Sequence, residues 1–327
     1  MKSKRKFTDI EKEFFYSRGK RSLKIDRPFV RYKDPEPSPA FIMQYSLDNC
    51  QINLTVVIPT FDGCRGGYLT KLLKQILNQN YLNFEIIIVQ GDHRQGRAIN
   101  IAASLAQGKY ILTLDDDTSL PDPNTFGKLV KVIEKCPDIG MAGGINAIPN
   151  NAKPFIKRTM KELPRRSTPK VNRIVDSDMA EHPLLIIRKE VFIEIGGENE
   201  LIPRGLDPYL REEFRKVGFR VVVVPEVRYC HLPPATLPKL MKQFYKNGRN
   251  AAFCNIFFPQ WVIETPNFHG EFSRKMVFSL RIIRYVKELL NAALNCKWVF
   301  FSSHMAYAAG FMIEALYYMT HIKKSLD

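Results

Sequence analysis

The sequence has few cysteines, and their spacing excludes the structures that cysteines usually support. Six are spread over 327 residues, and no two stand in a Cys-x-x-Cys pair, at positions 50, 64, 136, 230, 254 and 296. This distribution fits neither a zinc site nor a disulfide framework, so reduced thiols are expected. The N-terminal segment also lacks the continuous apolar run of a secretory signal. A cytoplasmic location is therefore expected.

Negative charge is scarce relative to positive charge, and the surplus lies at the two ends. There are 49 Lys and Arg residues against 33 Asp and Glu residues, a net charge of +16. Residues 1–33 carry +8 and residues 272–327 carry +5, whereas the middle is nearly balanced. A balanced middle argues against a nucleic-acid enzyme with a basic active face. The basic ends suggest attraction to an anionic surface, either lipid or nucleic acid. The expected partner is an anionic membrane surface, and no nucleic acid is expected.

Composition and length indicate a globular chain with more than one part. Hydrophobic residues make up 45% and charged residues 25%, which excludes a wholly disordered or collagenous protein. Residues 1–50 are predicted to form a basic arm that ends in a Pro-rich linker at residues 33–39. Residues 51–250 are expected to form the catalytic domain, and residues 251–327 a helical C-terminal extension.

Short β-branched runs alternate with helical patterns after residue 53. Three runs predict buried strands, at residues 54–58, 85–89 and 110–114. Apolar residues at three- and four-residue spacing predict a helix near residues 69–77, and a second helix is expected over residues 96–106. This order predicts an α/β fold with a mostly parallel, doubly wound, Rossmann-like sheet. In such a sheet the ligand site lies beyond the carboxyl ends of the strands.

Three consecutive carboxylates, Asp115, Asp116 and Asp117, follow the third predicted strand. They would repel one another without a counter-charge, and a divalent cation shared with a diphosphate could supply it. The alternative is an acidic loop that caps the helix after Pro121, since aspartate is common in turns. The position at a strand end favours the metal site.

Several motifs in a fixed order resemble glycosyltransferase family 2. They are Val56-Val57-Ile58-Pro59-Thr60-Phe61-Asp62, residues 85–89, residues 106–117, Leu184 to Gly197, and Gly205-Leu206-Asp207-Pro208-Tyr209-Leu210. The resemblance spans about residues 54–250. It implies a GT-A fold, a nucleotide-diphosphate sugar donor, Mn²⁺ or Mg²⁺, and inversion of the anomeric centre. A glycan or lipid-linked acceptor is expected. Gln243-x-x-Lys246 lacks the Arg-Trp of processive synthases, which favours transfer of one sugar.

The resemblance also implies roles for single residues. Asp207 is the expected base, and Asp115, Asp117 and His231 are the expected metal ligands. The segment Gln90-Gly91-Asp92-His93 stands where the family usually has Asp-Asp-Gly-Ser. The candidates for donor binding are Pro59, Thr60, Asp62, Asp92, Arg97, Asp115, Asp116 and Arg249.

The residues alone leave alternatives open for four of these positions. Asp207 could cap the N-terminus of a helix over residues 206–217. His231 could be a loop histidine bonded to a carbonyl, and Arg97 a solvated surface arginine. Arg249 could belong to a helix C-terminus, where basic residues are common.

Three segments bear on the acceptor and on membranes. Residues 146–178 hold eight basic side chains and could face an anionic acceptor or form a solvated loop. Residues 272–290 have the composition of an interfacial helix on an anionic bilayer. Residues 298–322 are apolar, but Glu314 would be costly in hydrocarbon, so an amphipathic helix is predicted rather than a membrane span. Ordinary packing of both helices on the core is the alternative.

Taken together, the sequence predicts a metal-dependent glycosyltransferase held peripherally on the inner face of the cell membrane. Two other functions remain compatible with the pattern. A nucleotidyltransferase also uses aspartates at strand ends of an α/β sheet and would release pyrophosphate. A non-catalytic binding or scaffold protein could keep the same fold, and the departure at residues 90–93 favours it.

Overall fold

A computed structural model of the chain describes residues 22–23, 40–46, 51–263, 268–270 and 277–322. Most of the predicted arm and linker lies outside these residues. The strands are β1 Ser22–Leu23, β2 Ala40–Ser46, β3 Leu54–Thr60, β4 Phe84–Gln90, β5 Tyr110–Thr113, β6 Thr118–Ser119, β7 Ile139–Asn146, β8 Val175–Asp176, β9 Leu185–Arg188 and β10 Arg220–His231. The helices are α1 Tyr68–Leu77, α2 Gln95–Leu105, α3 Thr125–Lys135, α4 Pro154–Glu162, α5 Lys189–Glu194, α6 Leu206–Lys216, α7 Leu237–Phe257, α8 Phe278–Leu294 and α9 Trp298–Ile322.

The strands form one mixed sheet in the order β1-β2-β4-β3-β5-β9-β7-β10-β6, with β8 paired to β10. β3 is parallel to both β4 and β5, and β7 is parallel to β10. β9 runs antiparallel between β5 and β7, and β2 runs antiparallel beside β4. Five of the central strands therefore point the same way, which confirms the predicted mostly parallel α/β sheet.

Helices cover both faces of the sheet because the strand side chains alternate between two cores. Val56 and Ile58 of β3 pack in one core with α1 and α3. Val57 points to the opposite face and packs in the core formed with α2, α5 and α6. All three residues are fully buried. The strands are thus apolar on both faces, as expected for a doubly wound sheet.

Two secondary-structure elements bear on the expected domain boundaries, which stay a prediction. β2 pairs with β4 from Phe41↔Gln90 to Ser46↔Glu85, so the sheet begins before residue 51. Its partly polar sequence and the prolines before it hid this edge strand. Helix α7 continues through residue 250 to Phe257, because after its first turn no proline occurs before Pro259.

The C-terminal helix α9 packs lengthwise against α7. Gly248 of α7 lies against the backbone of Tyr307, and Gly310 of α9 lies against the backbone of Tyr245, so the two helices approach closely. The carboxylate of Glu314, which is only 2% exposed, forms an ion pair with Arg249. The polar side of α9 therefore faces the protein. Among the described residues, one stretch, Trp298–Thr320, is long and apolar enough to cross a membrane by length and composition.

Replacing Gly248 with alanine is expected to destabilise the fold by about 1–3 kcal/mol, because the added Cβ would overlap the carbonyl oxygen of Tyr307. Thermal or urea unfolding measures the change. Gly127→Ala in α3 is the matched control, since its Cβ would meet nothing closer than Tyr81 Cβ at 4.0 Å. That variant should be neutral or slightly more stable. Equal stability of the two variants would contradict the close packing of α7 and α9.

Candidate active site

Two of the three consecutive aspartates meet a histidine at the carboxyl edge of the sheet. Asp115 and Asp117 lie in the turn after β5, and His231 is the last residue of β10. The pairing of His231 with Thr118 in β6 brings the histidine beside this turn. His231 Nε2 lies 3.1 Å from Asp117 Oδ1 and 3.9 Å from Asp115 Oδ2. The structure thus brings together all three expected metal ligands.

This cluster has the donor set of a divalent metal site. One ligand atom from each of Asp115, Asp117 and His231 lies within 4.8 Å of the other two. Two carboxylate oxygens and one imidazole nitrogen suit Mn²⁺ better than Mg²⁺, which prefers oxygen ligands throughout. The backbone N–H of His231 donates to Asn146 Oδ1, which fixes the end of β10. Among the described residues, the His231 ring contacts the carboxylate of Asp117 and not a carbonyl oxygen, as the alternative would require.

The pKa values of the two carboxyl groups in the cluster shift in opposite directions. Burial raises the pKa of Asp115 to about 6, although His231 opposes the rise. Burial would also raise the pKa of Asp117, but the hydrogen bond and charge of His231, with Arg65, lower it to about 2. A cation bound here would favour the ionised form of Asp115, so binding would be linked to proton release.

Arg65 contacts the same carboxylates and was not found by sequence reasoning. Its Nη2 lies 3.0 Å from Asp117 Oδ2, and its Nε lies 3.5 Å from Asp116 Oδ1. The residue has a φ of +49° in a turn that continues into Gly66 and Gly67, and its side chain is 55% exposed. Arg65 therefore places an exposed positive charge beside the carboxylates, where it would attract an anionic ligand.

The other candidates in and near β3 make contacts around the carboxylate cluster and do not join it. Thr60 Oγ1 donates to Asp116 Oδ2 at 2.7 Å, so Asp116 points toward β3 and away from the three ligands. Asp62 Oδ1 accepts the backbone N–H groups of Cys64 and Arg65, which fixes the turn and lowers the pKa of Asp62. Pro59 lies within β3, opposite Val89. Their direct contact with a donor stays a prediction.

Asp92 and Arg97 form a buried pair at the start of α2. Arg97 Nε lies 2.8 Å from Asp92 Oδ2, with side-chain exposures of 6% and 3%. Asp92 Oδ1 also accepts the backbone N–H of Arg94. The alternative of a solvated Arg97 is therefore wrong. The ion pair stabilises the loop that leads into Gln95, the first residue of α2. Gln95 Nε2 in turn donates to Asp115 Oδ1 at 2.9 Å.

An exposed aromatic pair lies where β3 and β4 end. The rings of Phe61 and His93 are 4.7 Å apart between centroids, and Phe61 is 57% exposed. Such a surface can stack on a planar nucleobase. The sequence carried the signal, a large aromatic directly after a buried strand, but only the structure pairs it with His93.

Asp207 is the second residue of α6, and Gly205 with a φ of +88° occupies the N-cap position. The alternative of an Asp207 cap is therefore wrong. Asp207 Oδ1 instead accepts the backbone N–H of His182 at 2.8 Å. Burial would raise the pKa of Asp207, but the charges of His182 and Arg211 and this hydrogen bond lower it. The carboxylate is ionised at neutral pH and about a third exposed, as a proton acceptor must be.

His182 and Glu198 form a buried network behind Asp207. His182 Nε2 lies 2.9 Å from Glu198 Oε1 and 3.8 Å from Asp207 Oδ1. Its Nδ1 lies 3.3 Å from Thr113 Oγ1 on β5. Burial would lower the pKa of His182, but Asp207 and Glu198 raise it to about 9. A protonated His182 therefore holds Asp207 ionised and connects it to β5.

Replacing Glu198 with glutamine is expected to lower the pKa of His182 below about 9, because the imidazolium loses its partner at 2.9 Å. An NMR titration of the histidine ring signals without added metal measures this. In the parent protein the raised pKa contributes stability below pH 6.5 that is lost as the pH rises to about 9. This loss should shrink in the variant.

Glu200→Gln is the control for this prediction. Glu200 accepts a hydrogen bond from Asn100, the residue whose side chain also bonds the backbone of Glu198. It is a neighbouring carboxylate that does not pair with His182 among the described residues. The pKa of His182 should stay unchanged in this variant. An equal fall in both variants would contradict a specific pair between His182 and Glu198.

Arg249 does not join the carboxylate cluster in the structure. Its Nε pairs with Glu314 of α9. It lies inside α7, eight residues before Phe257, so the alternative of a helix C-terminus is also wrong. The sequence could not show this pair because 65 residues separate the two partners.

The central part of the chain matches a known protein family. Residues 90–196 match the model of the family described as Glycosyl transferase family 2. This segment contains the three aspartates, His182 and the strands β5, β7 and β9. A search of curated proteins found no sequence that matches the chain. The match confirms the resemblance drawn from the sequence motifs.

Several solved structures are similar in fold. Mannosyltransferase PcManGT from Pyrobaculum calidifontis, solved with GDP-Man and Mn²⁺, is 12% identical with a TM-score of 0.49, over 82% of this chain and 88% of that chain. TarS 1-349 of S. aureus with UDP-GlcNAc is 14% identical with a TM-score of 0.44, over 62% and 66%. GalNAc-T7 with UDP, GalNAc and Mn²⁺ is 14% identical with a TM-score of 0.42, over 63% and 51%. The ligands named belong to those proteins.

Proposed function

We propose that the chain is a metal-dependent glycosyltransferase with a GT-A fold, which inverts the anomeric centre and transfers one sugar from a nucleotide-diphosphate donor. The observation that carries the proposal is the convergence of Asp115, Asp117 and His231 within 4.8 Å. It lies at the carboxyl edge of the sheet, where an open α/β fold binds its ligand.

The chemical step requires a base for the acceptor hydroxyl and a stabilised leaving group. The acceptor oxygen attacks the anomeric carbon from the face opposite the diphosphate, and its proton passes to the carboxylate of Asp207. The bond between the anomeric carbon and the diphosphate oxygen breaks, which releases a nucleoside diphosphate. A divalent cation held by Asp115, Asp117 and His231 would neutralise the negative charge that develops on that diphosphate.

The surroundings of Asp207 support its role as the base. His182 and Arg211 keep the carboxylate ionised, and a backbone N–H fixes its orientation. The charge of Asp115 also raises the pKa of His182, so the proposed base and one proposed metal ligand both interact with this ring. A single ionised carboxylate on the acceptor side suits an inverting reaction, which needs a base and no second nucleophile.

The donor and the acceptor are proposed on different parts of the site. The rings of Phe61 and His93 would face the nucleobase, and Arg65 would meet the diphosphate. The basic segment over residues 146–178 would face a glycan or lipid-linked acceptor. The net charge of +5 over residues 272–327 supports a cytoplasmic protein held peripherally at a membrane.

The family 2 match favours sugar transfer over nucleotidyl transfer, and the intact carboxylate cluster opposes a scaffold that has lost catalysis. The two chemistries differ in their products. A glycosyltransferase releases a nucleoside diphosphate, and a nucleotidyltransferase releases pyrophosphate.

A panel of nucleotide-sugars with Mn²⁺ or Mg²⁺ tests the proposal by thermal shift. The panel includes GDP-mannose and UDP-N-acetylglucosamine. A donor at 100 times its dissociation constant should add about 2.7 kcal/mol of stability. The shift should require the metal and should be larger with Mn²⁺. NMR of the product should then show an inverted anomeric centre. Absence of any metal-dependent shift, or retention of configuration, would contradict the proposal.

A further inference from the structure

The helical hairpin of α8 and α9 turns large apolar side chains away from the protein. On α8, six aliphatic residues are 48–84% exposed: Leu280, Ile282, Ile283, Val286, Leu290 and Leu294. On α9, six apolar residues are 47–59% exposed: Trp298, Met305, Met312, Ile313, Leu316 and Met319. A water-exposed surface rarely carries this much apolar area unless it binds something.

Two polar residues of α9 lie on its buried side. Ser303 is fully buried and Glu314 is 2% exposed. Glu314 pairs with Arg249, and Gly310 packs against the backbone of α7. A surface helix in water normally buries its apolar side and exposes its polar side. Around Ser303 and Glu314, α9 has the reverse arrangement, which suits an apolar solvent outside.

The basic residues of the hairpin identify the kind of partner. Arg281, Arg284 and Lys287 lie on α8, and Lys297 lies in the turn before α9. Further basic residues flank the hairpin in the sequence, at positions 274–275 and 323–324. Apolar side chains with a basic border match an anionic bilayer, where hydrocarbon and lipid phosphates lie a few ångströms apart.

We propose that the α8–α9 hairpin is a docking surface for an anionic lipid bilayer and lies in the plane of its interface. The helix pair does not cross the bilayer, because α7 runs beside α9 and carries Lys239, Lys242 and Lys246. A crossing α9 would bring these charges into hydrocarbon. The docking does not depend on the proposed sugar transfer.

The hairpin is joined to the segment proposed for the acceptor. Glu162 of α4 accepts the backbone N–H groups of Val299 and Phe300 at 2.9 and 3.1 Å, which caps α9. Arg158 of α4 donates to the carbonyl oxygen of Cys296 in the turn. Docking would therefore bring α4 and the adjoining acceptor segment to the lipid headgroups. The acceptor would then be a headgroup or a lipid-linked glycan, which deepens the proposed function.

Vesicle co-sedimentation with a triple variant tests the docking surface. The parent protein should sediment with phosphatidylglycerol-containing vesicles, more weakly with phosphatidylcholine alone, and stay partly bound in high salt. Ile282→Gln, Val286→Gln and Leu290→Gln together should weaken binding about tenfold or more and remove the salt-resistant part. Glutamine keeps helix propensity, so the fold should survive. Unchanged binding by this variant would overturn the proposal.

A second triple variant is the matched control. Leu82→Gln, Ile193→Gln and Val217→Gln replace aliphatic residues of similar exposure, 43–59%, outside the hairpin. Their vesicle binding should equal that of the parent. Equal losses in both triple variants would overturn the assignment to the hairpin. Donor binding, measured by thermal shift, should persist in both triple variants, so a failure of docking and a failure of the proposed function remain distinguishable.

Trp298 reports on depth directly, since the chain has only two tryptophans. In a Trp261→Phe variant, brominated lipid should quench the remaining fluorescence, because Trp298 is 52% exposed on the apolar side of α9. A second copy of the chain is the competing occupant of the surface. Lack of quenching together with a dimer in light scattering that the hairpin variant dissolves would overturn the membrane proposal.

Discussion

Replacing Asp207 with asparagine is expected to lower turnover by about a hundredfold or more while donor binding persists. General base catalysis contributes roughly that much, and an amide cannot accept the acceptor proton at neutral pH. The variant should keep its local structure, because the Asn oxygen can still accept the backbone N–H of His182 that now binds Oδ1. Initial rates of nucleoside diphosphate release, with donor affinity from thermal shift, measure the two effects separately.

Glu213→Gln is the matched control on the same helix. Glu213 pairs with Lys216 on the surface of α6, so the same chemical change there should leave turnover intact. Near-normal turnover of the Asp207 variant would remove this carboxylate from catalysis. A loss of donor binding in the Asp207 variant would instead mean that the carboxylate shapes the donor site.

Replacing Asp117 with alanine is expected to abolish the metal-dependent stabilisation by a nucleotide-sugar. The carboxylate contacts both His231 and Arg65, and it is the ligand with the lowest pKa, so it binds a cation without losing a proton first. The expected loss is the full donor shift, about 2.7 kcal/mol at 100 times the dissociation constant. Thermal unfolding with and without Mn²⁺ and donor measures it.

The neighbouring residue supplies the control for this experiment. Asp116→Asn should keep most of the metal-dependent shift, because Asp116 bonds Thr60 rather than facing His231, and an asparagine oxygen can accept the same hydrogen bond. Its metal-free stability should also stay close to that of the parent. Equal donor shifts in the Asp117 variant and the parent would contradict the assigned metal site. An Asp116 variant that also lost its shift would mean that all three aspartates act together.

The proposed metal ligands were predicted from two sources. Asp115 and Asp117 follow a strand, and strand ends fix positions in an α/β sheet. His231 was expected there because of the family resemblance, and the structure brings its ring to the same edge. The network behind Asp207 was not predictable in the same way. Glu198 and His182 lie 16 positions apart in irregular segments around β9 and α5, and no periodic pattern signals a buried ion pair.

The C-terminal helices show a second limit of sequence reasoning. An apolar stripe at helical spacing has the same period whether it faces a core or a membrane. The predicted helix over residues 298–322 matches α9. The helix predicted over residues 272–290 overlaps α8 from Phe278 onward, α8 continues to Leu294, and residues 272–276 lie outside the described residues. Which side each helix buries depends on Gly248, Gly310 and the pair between Arg249 and Glu314, and these contacts are decided only when α7 and α9 meet.

The position of β2 at the outer part of the sheet has a consequence for how the protein avoids self-association. β4 is almost wholly apolar, from Phe84 to Val89, and β3 covers one of its edges. β2 covers the other edge, and among the described residues its own outer edge pairs with the two-residue strand β1. A chain that began at residue 51 would leave the backbone N–H and C=O groups on this edge of β4 unpaired. Such an edge pairs with strands of other molecules, so residues 40–46 protect the protein against aggregation.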